Sequence, residues 1–141
     1  MSDLQLLIHR AESLLARLEQ FLPTVGEPDW KAGVAYRWRR RQTAFGVQAA
    51  LQPVRTVSDI RLADLKNIDD QKKAIEQNTR QFVAGLPANN VLLTGSRGTG
   101  KSSLIKACLQ EFAPRGLRLI EVDKADLVDL PDIVDVVSQR P

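Results

Sequence analysis

A glycine-rich string in the second half of the chain has the composition of a phosphate site. Residues 95 to 102 read Gly-Ser-Arg-Gly-Thr-Gly-Lys-Ser, a full match to the pattern G-x-x-x-x-G-K-[ST]. Unusual backbone angles, which let main-chain N–H groups surround a phosphate, are accessible at Gly95, Gly98 and Gly100. The spacing places the Lys101 ammonium at the β- and γ-phosphates and the Ser102 hydroxyl on Mg²⁺. The string therefore predicts a site for a nucleoside triphosphate, most simply Mg-ATP.

Two neighbouring residues complete this predicted site. We expect Ser103 and its amide to reach the α-phosphate, and Thr99 to contribute its backbone N–H. The alternative is a glycine-rich turn with an incidental lysine. A turn does not require a lysine followed by a hydroxyl residue at the start of a helix, so the phosphate site is favoured.

The patterns around the loop predict an α/β fold. A short apolar run, Val91–Leu93, favours a buried strand that ends at the loop, and apolar residues at helical spacing follow from Ser102 to Phe112. A second strand is predicted from Leu117 to Val122, and a weaker helix, interrupted or started by a proline, from Leu127 to Val137. This order indicates a parallel sheet with crossover connections.

The residues before the loop divide into two helices and an irregular stretch. Apolar residues recur every three or four positions from Leu4 to Leu22, which predicts an amphipathic helix. Its stripe could dock on a partner, but we expect it to pack within the chain. The stretch from Pro23 to about Ser58 has no sustained period and is predicted to be a linker, and a helix is predicted between Asp64 and Gly85. Residues 1–60 would form a helical N-terminal region with a basic linker, and residues 61–141 the α/β domain.

The composition indicates the class of protein and the cellular compartment in which it is expected. The chain is 43% hydrophobic and 26% charged, as globular proteins are. Cys108 is the only cysteine, so no intrachain disulfide can form, and its apolar position predicts core packing. No signal peptide or membrane span is evident. We therefore expect a cytoplasmic protein without a membrane partner, in which His9 is a surface residue.

Aromatic residues and cations are mixed in one segment that could bind nucleic acid. The aromatic members are Trp30, Tyr36 and Trp38, and the cations are Lys31, Arg37, Arg39, Arg40 and Arg41. Stacking and phosphate contacts on single-stranded nucleic acid use such residues. A docked loop whose arginines stay solvated or meet the acidic C-terminal segment is the favoured alternative.

Five aspartates recur every third residue near the end of the chain: Asp123, Asp126, Asp129, Asp132 and Asp135. A three-residue step drifts around an α-helix, so these carboxylates are not expected to converge on one metal ion. Helix caps and solvated faces explain them better.

Two longer strings resemble a known family. VLLTGSRGTGKSSLIKA and GLRLIEVDKADLVDLPDIVDVV together resemble a bacterial family of AAA-type ATPases that is catalogued mainly as a domain of unknown function. The resemblance runs from about Arg37 to Pro141, and it implies a partial AAA-type P-loop core with a Walker A motif that binds Mg-ATP. The segment DLKNIDDQKKAIEQNTRQFVAGLPANN resembles the linker and first helix of such proteins. By that likeness, adenine would lie beside Leu65, Lys66, Asn67 and Ile68.

The resemblance also predicts what this chain would lack. AAA-type ATPases carry a second acidic motif, Walker B, on a later strand, followed by a sensor residue and an arginine finger. In their sheet the strand before the loop does not neighbour the second strand, so Val91–Thr94 would have neither of its partners. We therefore expect a truncated module that binds ATP with little or no turnover. The complete protein would be an ATPase, and the resemblance leaves a homo-oligomeric ring open.

Two other functions compete with this expectation. A small P-loop phosphotransferase would need a lid and an acceptor site in the few residues that follow the loop helix. A nucleic-acid-binding module would use the aromatic and basic segment, with nucleotide as its regulator.

Overall fold

The computed structural model describes residues 3–19, 28–43 and 46–138. These ranges hold four α-helices, three short 3₁₀ helices and one three-stranded sheet, which is a mixed α/β architecture. The elements in chain order are α1 (Asp3–Glu19), β1 (Ala35–Thr43), β2 (Gly46–Pro53), α2 (Asp69–Val83), α3 (Lys101–Phe112), β3 (Leu119–Glu121) and α4 (Leu130–Ser138).

The sheet has the strand order β2-β1-β3, with β1 antiparallel to β2 and parallel to β3. The expected linker from Pro23 to about Ser58 is therefore wrong over residues 35–43 and 46–53, and residues 23–27, 44 and 45 lie outside the described part. The sequence feature that indicates strand β1 is an alternation of aromatic and basic residues. Tyr36 and Trp38 point inward, while the arginines between and after them are more exposed. Prolines and glycines flanking the segment obscured that alternation.

Polar bonds fix the buried aromatic residues of β1. The Tyr36 hydroxyl donates to the carbonyls of Asp29 and Gly33 at 2.8 and 2.9 Å. The Trp38 indole N–H donates to a carboxylate oxygen of Asp129 at 2.9 Å, and Arg40 lies 3.3 Å from the other oxygen. Since both rings are almost fully buried, these bonds satisfy polar atoms that have left water.

The predicted strand Val91–Thr94 is absent, because residues 91–96 pair with no strand in the described part of the chain. Leu92 is 86% exposed and Val91 is 50% exposed, whereas a central strand would bury both. The expectation that this segment would lack strand partners agrees with what is seen. Leu93 alone turns inward, where it packs beside α3.

The second predicted strand, Leu117–Val122, is confirmed in shortened form as β3 and pairs with β1. The predicted helices at 102–112 and 64–85 are confirmed as α3 and α2, the latter preceded by a 3₁₀ turn at Leu62–Asp64. The sheet is mixed rather than purely parallel, since β2 runs antiparallel. The predicted domain division at residue 60 stays a prediction, although β1 and β3 share a sheet across it.

A small core joins α3 to the segment that precedes α2. Leu104, Ala107 and Cys108 on one face of α3 pack with Leu65, and Ile68, Ile75 and Leu93 close around them. The three- and four-residue steps along α3 bring its apolar residues to one side. This contact fixes the start of α3, where the glycine-rich loop ends, against α2.

The last predicted helix, Leu127–Val137, forms as a 3₁₀ helix at Lys124–Asp129 followed by α4. Pro131 lies in the first turn of α4, so it starts the helix rather than interrupting it. Ile133 is the buried residue of α4.

Helix α1 confirms the amphipathic helix as far as Glu19, and residues 20–22 lie outside the described part. The expectation that its stripe packs within the chain is wrong, because the leucines and Ile8 of the stripe are 50–68% exposed.

No helix among the described residues is long and apolar enough to cross a membrane.

Replacing Asp129 with alanine is expected to destabilise the fold. The change leaves the buried Trp38 N–H without its acceptor and removes the partner of Arg40, a loss of about 2 kcal/mol in the free energy of unfolding. Urea denaturation measures it. Asp135→Ala is the matched control, because this exposed carboxylate on α4 has no such bond, and a change within about 0.5 kcal/mol is expected there. Equal effects of the two substitutions would refute the role of Asp129.

The buried thiol of Cys108 predicts a pH dependence. Burial, followed by the charge of Glu76, raises the pKa of Cys108 from 9.0 to about 11. Between these values the unfolded thiol loses its proton while the folded thiol keeps it, so the free energy of unfolding falls as pH rises. Denaturation of the wild type and of Cys108→Ala from pH 8 to 11 isolates this contribution. The wild type should lose more stability than the variant over that window; parallel curves would contradict the prediction.

Candidate functional site

The loop before α3 adopts the backbone conformation that its glycines were expected to permit. The φ angles of Gly95, Gly98 and Gly100 are 139°, 85° and 85°, a region that L-residues avoid. At Gly95 space is limiting as well, since an added Cβ would lie 3.1 Å from the Thr99 hydroxyl oxygen. Both the angles and the close approach therefore require glycine here.

The main-chain N–H groups at the end of the loop have no acceptor. The first helical bond of α3 runs from the Leu104 N–H to the Gly100 carbonyl at 2.9 Å, so the three preceding amides, on Lys101, Ser102 and Ser103, have none within the helix. Among the described residues no backbone carbonyl accepts from the amides of Lys101, Ser102 or Ser103, and Gly100 supplies no capping side chain. The first turn of α3 also carries no acidic residue. The positive end of the helix dipole is thus left open to an anion.

Lys101 lies across the mouth of this loop. Its ammonium donates to the carbonyl oxygens of Gly95 and Ser96 at 2.7 and 2.6 Å and to the Thr99 hydroxyl at 3.2 Å. Thr99 in turn donates to the Ser96 carbonyl at 2.8 Å. The lysine therefore bonds only to the loop's own oxygens and stays at the protein surface rather than pairing with a buried acid. A phosphate oxygen placed there would meet a cation already in position.

A cavity of about 310 Å³ opens beside the loop. Its walls include Gly95, Thr99, Gly100 and Lys101 from the predicted site, together with Ile68, which precedes α2, and Gln71 from the first turn of α2. Gly98, Ser102 and Ser103 lie outside this lining, although Ser102 is exposed and follows Lys101 directly on the helix.

The four residues expected beside adenine lie in different surroundings. Ile68 lines the cavity, whereas Leu65 is buried beneath it against Leu104. Lys66 extends away, its ammonium donating to the Ala63 carbonyl at 3.1 Å, and Asn67 occupies a left-handed conformation with φ 60°. Only Ile68 of the four is therefore placed to touch a ligand.

Sequence reasoning missed two features that shape this site. Gln71 lies in the first turn of α2, three residues after Ile68, and lines the same cavity. Asn78 clamps the chain that leads to the loop: its amide nitrogen donates to the Asn89 carbonyl, and its carbonyl oxygen accepts from the Asn89 N–H, both at 2.8 Å. No sequence pattern signals a pairing eleven residues apart.

Another cavity, of about 400 Å³, lies between α2, α3 and β3. Apolar residues such as Phe82, Val91 and Leu119 dominate its walls. The residues around this cavity include neither a glycine-rich turn nor a helix start with open amides, the two features that suit the loop site to an anion.

The aromatic and basic segment is engaged in the fold. Arg37 pairs with Glu121, Arg39 lies 3.9 Å from Asp123, and Arg40 lies 3.3 Å from Asp129. Tyr36 and Trp38 are buried, and Trp30 packs edge-on against Tyr36 with ring centroids 5.1 Å apart. This is the arrangement expected of a docked segment whose arginines meet the acidic C-terminal residues.

The five aspartates are dispersed over two elements and a loop. Asp123 and Asp129 bind the arginines of β1, and Asp132 and Asp135 lie exposed on α4. Within the described ranges no three His, Cys, Asp or Glu side chains come together in a group that could hold a metal ion.

A scan against family models matches residues 31–141 to the family described as "Protein of unknown function (DUF815)". The chain belongs to this family. The match spans the sheet, the loop and helices α2 to α4, and it begins after α1. It confirms the part of the expected resemblance that concerns a domain of unknown function. Comparisons with curated proteins and with solved structures found no match.

Substituting Gly98 with alanine tests the conformation of the loop. Nothing lies within 4 Å of the added Cβ, so the cost comes from the backbone alone, about 1 kcal/mol for an L-residue at φ 85°. Gly33→Ala is the control, because its φ is not positive and its nearest neighbour would be 3.8 Å away. It should change stability by less than about 0.5 kcal/mol or increase it slightly. Thermal unfolding of both variants gives the comparison, and an unchanged or stabilised Gly98→Ala variant would contradict the loop geometry.

Proposed function

We propose that this DUF815 chain binds Mg-ATP through the loop from Gly95 to Ser103. The observation that carries the proposal is the combination of acceptor-free amides at the start of α3 with the Lys101 ammonium at the same mouth. A polyphosphate supplies the negative charge and the multiple oxygen acceptors that such a site lacks. In the described fold the Lys101 ammonium bonds only to oxygens of this loop.

The present hydrogen-bond partners of the Lys101 ammonium could be replaced by phosphate oxygens, and this supports the binding of phosphate. The ammonium now bonds to two neutral carbonyls and a hydroxyl. A phosphate would place a negative charge beside the ammonium, and this adds a coulombic attraction that the neutral oxygens do not supply. The glycines let the chain close around the phosphates without a Cβ in the way.

Magnesium would be held mainly by the nucleotide. Mg²⁺ keeps several waters and usually takes one or two protein ligands together with substrate phosphates. The Ser102 hydroxyl, exposed in the first turn of α3, fits the role of a protein ligand. The ion's chemistry would be to neutralise charge between the β- and γ-phosphates.

We propose that the base of the nucleotide lies in the cavity beside the loop. Ile68 offers an apolar surface for a flat ring, and the Gln71 side chain carries both a donor and an acceptor for a base edge. Lys72 fixes this wall, since its ammonium bonds to the Leu65 carbonyl at 2.8 Å and to Asp69 at 2.9 Å. We place adenine against this wall as part of the proposal.

We further propose that the chain is the nucleotide-binding part of an AAA-type P-loop ATPase. The loop, α3 and β3 follow one another in the order of that fold, while residues 91–94, which lead into the loop, have no strand partner in the described part of the chain. The residues lining the cavity include no Asp or Glu. A carboxylate to activate water is therefore missing from the walls, which supports binding with little or no hydrolysis by this chain.

The geometry of β1 does not support the hypothesis that the aromatic and basic segment binds nucleic acid. Three of the four arginines of β1 are paired with carboxylates. Tyr36 and Trp38 are buried, and the half-buried Trp30 ring packs against Tyr36. No acceptor site for a phosphotransferase is apparent beside the loop among the residues described, so binding of ATP is the one function we propose.

Calorimetric titration of Mg-ATP into the wild type, Lys101→Ala and Lys106→Ala tests this function. Lys106 lies on the same helix, is exposed and does not line the cavity, so it controls for the loss of one positive charge. The wild type and Lys106→Ala should bind alike, and Lys101→Ala should bind at least about tenfold more weakly, since it loses a charged contact worth about 1.5 to 3 kcal/mol. A parallel phosphate-release assay should show little turnover by any of the three.

Two results would overturn the proposal. Equal binding by Lys101→Ala and the wild type would place the nucleotide elsewhere, and no binding by the wild type would remove the function. Titration with Mg-GTP compares the bases, and rapid phosphate release by the wild type would refute the expectation of low turnover without refuting binding.

A further inference from the structure

Helix α1 carries an apolar stripe with a coiled-coil spacing. Its seam residues are separated by alternate steps of three and four: Leu4, Leu7, Ala11, Leu14 and Leu18. Ile8 and Leu15 widen the stripe on one side. At about 100° per residue, all seven lie within about 60° of the direction of Ala11, and this width is typical of helices that pack against other helices.

This stripe is uncovered in the single chain. Its six large members are between 50% and 68% exposed: Leu4, Leu7, Ile8, Leu14, Leu15 and Leu18. In proteins most of the stability of an amphipathic helix comes from packing of its apolar face, and in the described fold this face of α1 is not covered.

The exposed area suits a second copy of the same helix. Six large aliphatic side chains offer about 100 Å² each, so two stripes facing one another would bury at most about 1,200 Å² in total. This value lies at the lower end of the range of stable, specific interfaces. A self-complementary stripe needs no other partner to reach it.

Charge selects the relative direction of the two helices. Arg10 and Arg17 flank the stripe on one side, and Glu12 flanks it on the other, about 100° from Ala11 in the opposite sense. In a parallel pair the arginine flank of each helix faces the partner's other flank, which carries Ile8 and Leu15 next to the seam and Glu12 farther out, so the arginines of the two helices are kept apart. In an antiparallel pair the two arginine flanks would face one another, and like charges would oppose association.

We propose that α1 pairs in parallel with α1 of a second copy and makes this protein a dimer. The interface is formed by the seam Leu4, Leu7, Ala11, Leu14 and Leu18, with Ile8 and Leu15 beside it. It is separate from the loop site, so dimerisation and nucleotide binding can each fail without the other.

Sedimentation of the full chain over a range of concentrations tests the pairing. The wild type should sediment as a species of twice the 15.7 kDa chain mass. Leu14→Glu places a charge in the seam and should weaken the dimer at least about tenfold. Leu6→Glu is the matched control: Leu6 is also an exposed leucine of α1, at 52%, but it lies off the stripe, and its dimer should be unchanged.

The direction of pairing is tested by crosslinking. In the parallel pair Leu4→Cys lies beside its counterpart and should form an interchain disulfide on mild oxidation. In an antiparallel pair the two cysteines would be about 20 Å apart, beyond the reach of a disulfide. The wild type controls for Cys108, which is buried and should not crosslink.

Several outcomes would overturn the proposal. A monomeric wild type at all concentrations, a mass of three or more copies, or equal weakening by Leu14→Glu and Leu6→Glu would each refute pairing through the stripe. A dimer that Leu4→Cys fails to crosslink would refute the parallel arrangement. Circular dichroism of Leu14→Glu shows whether the rest of the chain remains folded, so that loss of the dimer is read from a folded variant.

Discussion

Unpaired backbone amides are the constraint on which the functional account depends. A folded chain satisfies nearly all of its buried N–H groups, and those at a helix start without a cap must find water or a ligand. The loop from Gly95 to Ser103 collects such groups in one place, and its glycines remove the side chains that would shield them. Lys101 bonds to the loop's carbonyls, which leaves the amides themselves open. The site is thus arranged for an anion with several oxygen atoms.

The loop is positioned by side chains rather than by a sheet. The chain that enters it has no strand partner in the described part, yet Asn78 clamps Asn89 on one side and Leu93 packs with Leu104 on the other. The same α3 face that buries Leu104 and Cys108 fixes the start of the helix. Consequently, contacts between α2 and α3 control the geometry of the phosphate site, while the three-stranded sheet is tied to the opposite end of α3 through β3.

Local patterns predicted the parts of the fold that local chemistry determines. The glycines, lysine and hydroxyl of the loop follow from the conformations and charges that phosphate requires, and α2 and α3 follow from apolar residues at helical spacing. The β1–β2 hairpin was missed because its arginines and flanking prolines resemble a linker, although Tyr36 and Trp38 alternate with them. The strand before the loop was predicted from composition, but a strand forms only where a neighbouring backbone supplies bonds. The Asn78–Asn89 clamp and the place of Gln71 depend on tertiary contacts that no spacing in one sequence reveals.

Amide resonances in a ¹H–¹⁵N spectrum give the most direct test that main-chain N–H groups bind polyphosphate. On addition of Mg-ATP or inorganic tripolyphosphate, the amides from Gly98 to Ser103 should show the largest shifts, and adenosine alone should leave them nearly unchanged. Shifts confined to β1, or to the cavity beside Phe82 and Leu119, with the loop amides unmoved, would contradict the account.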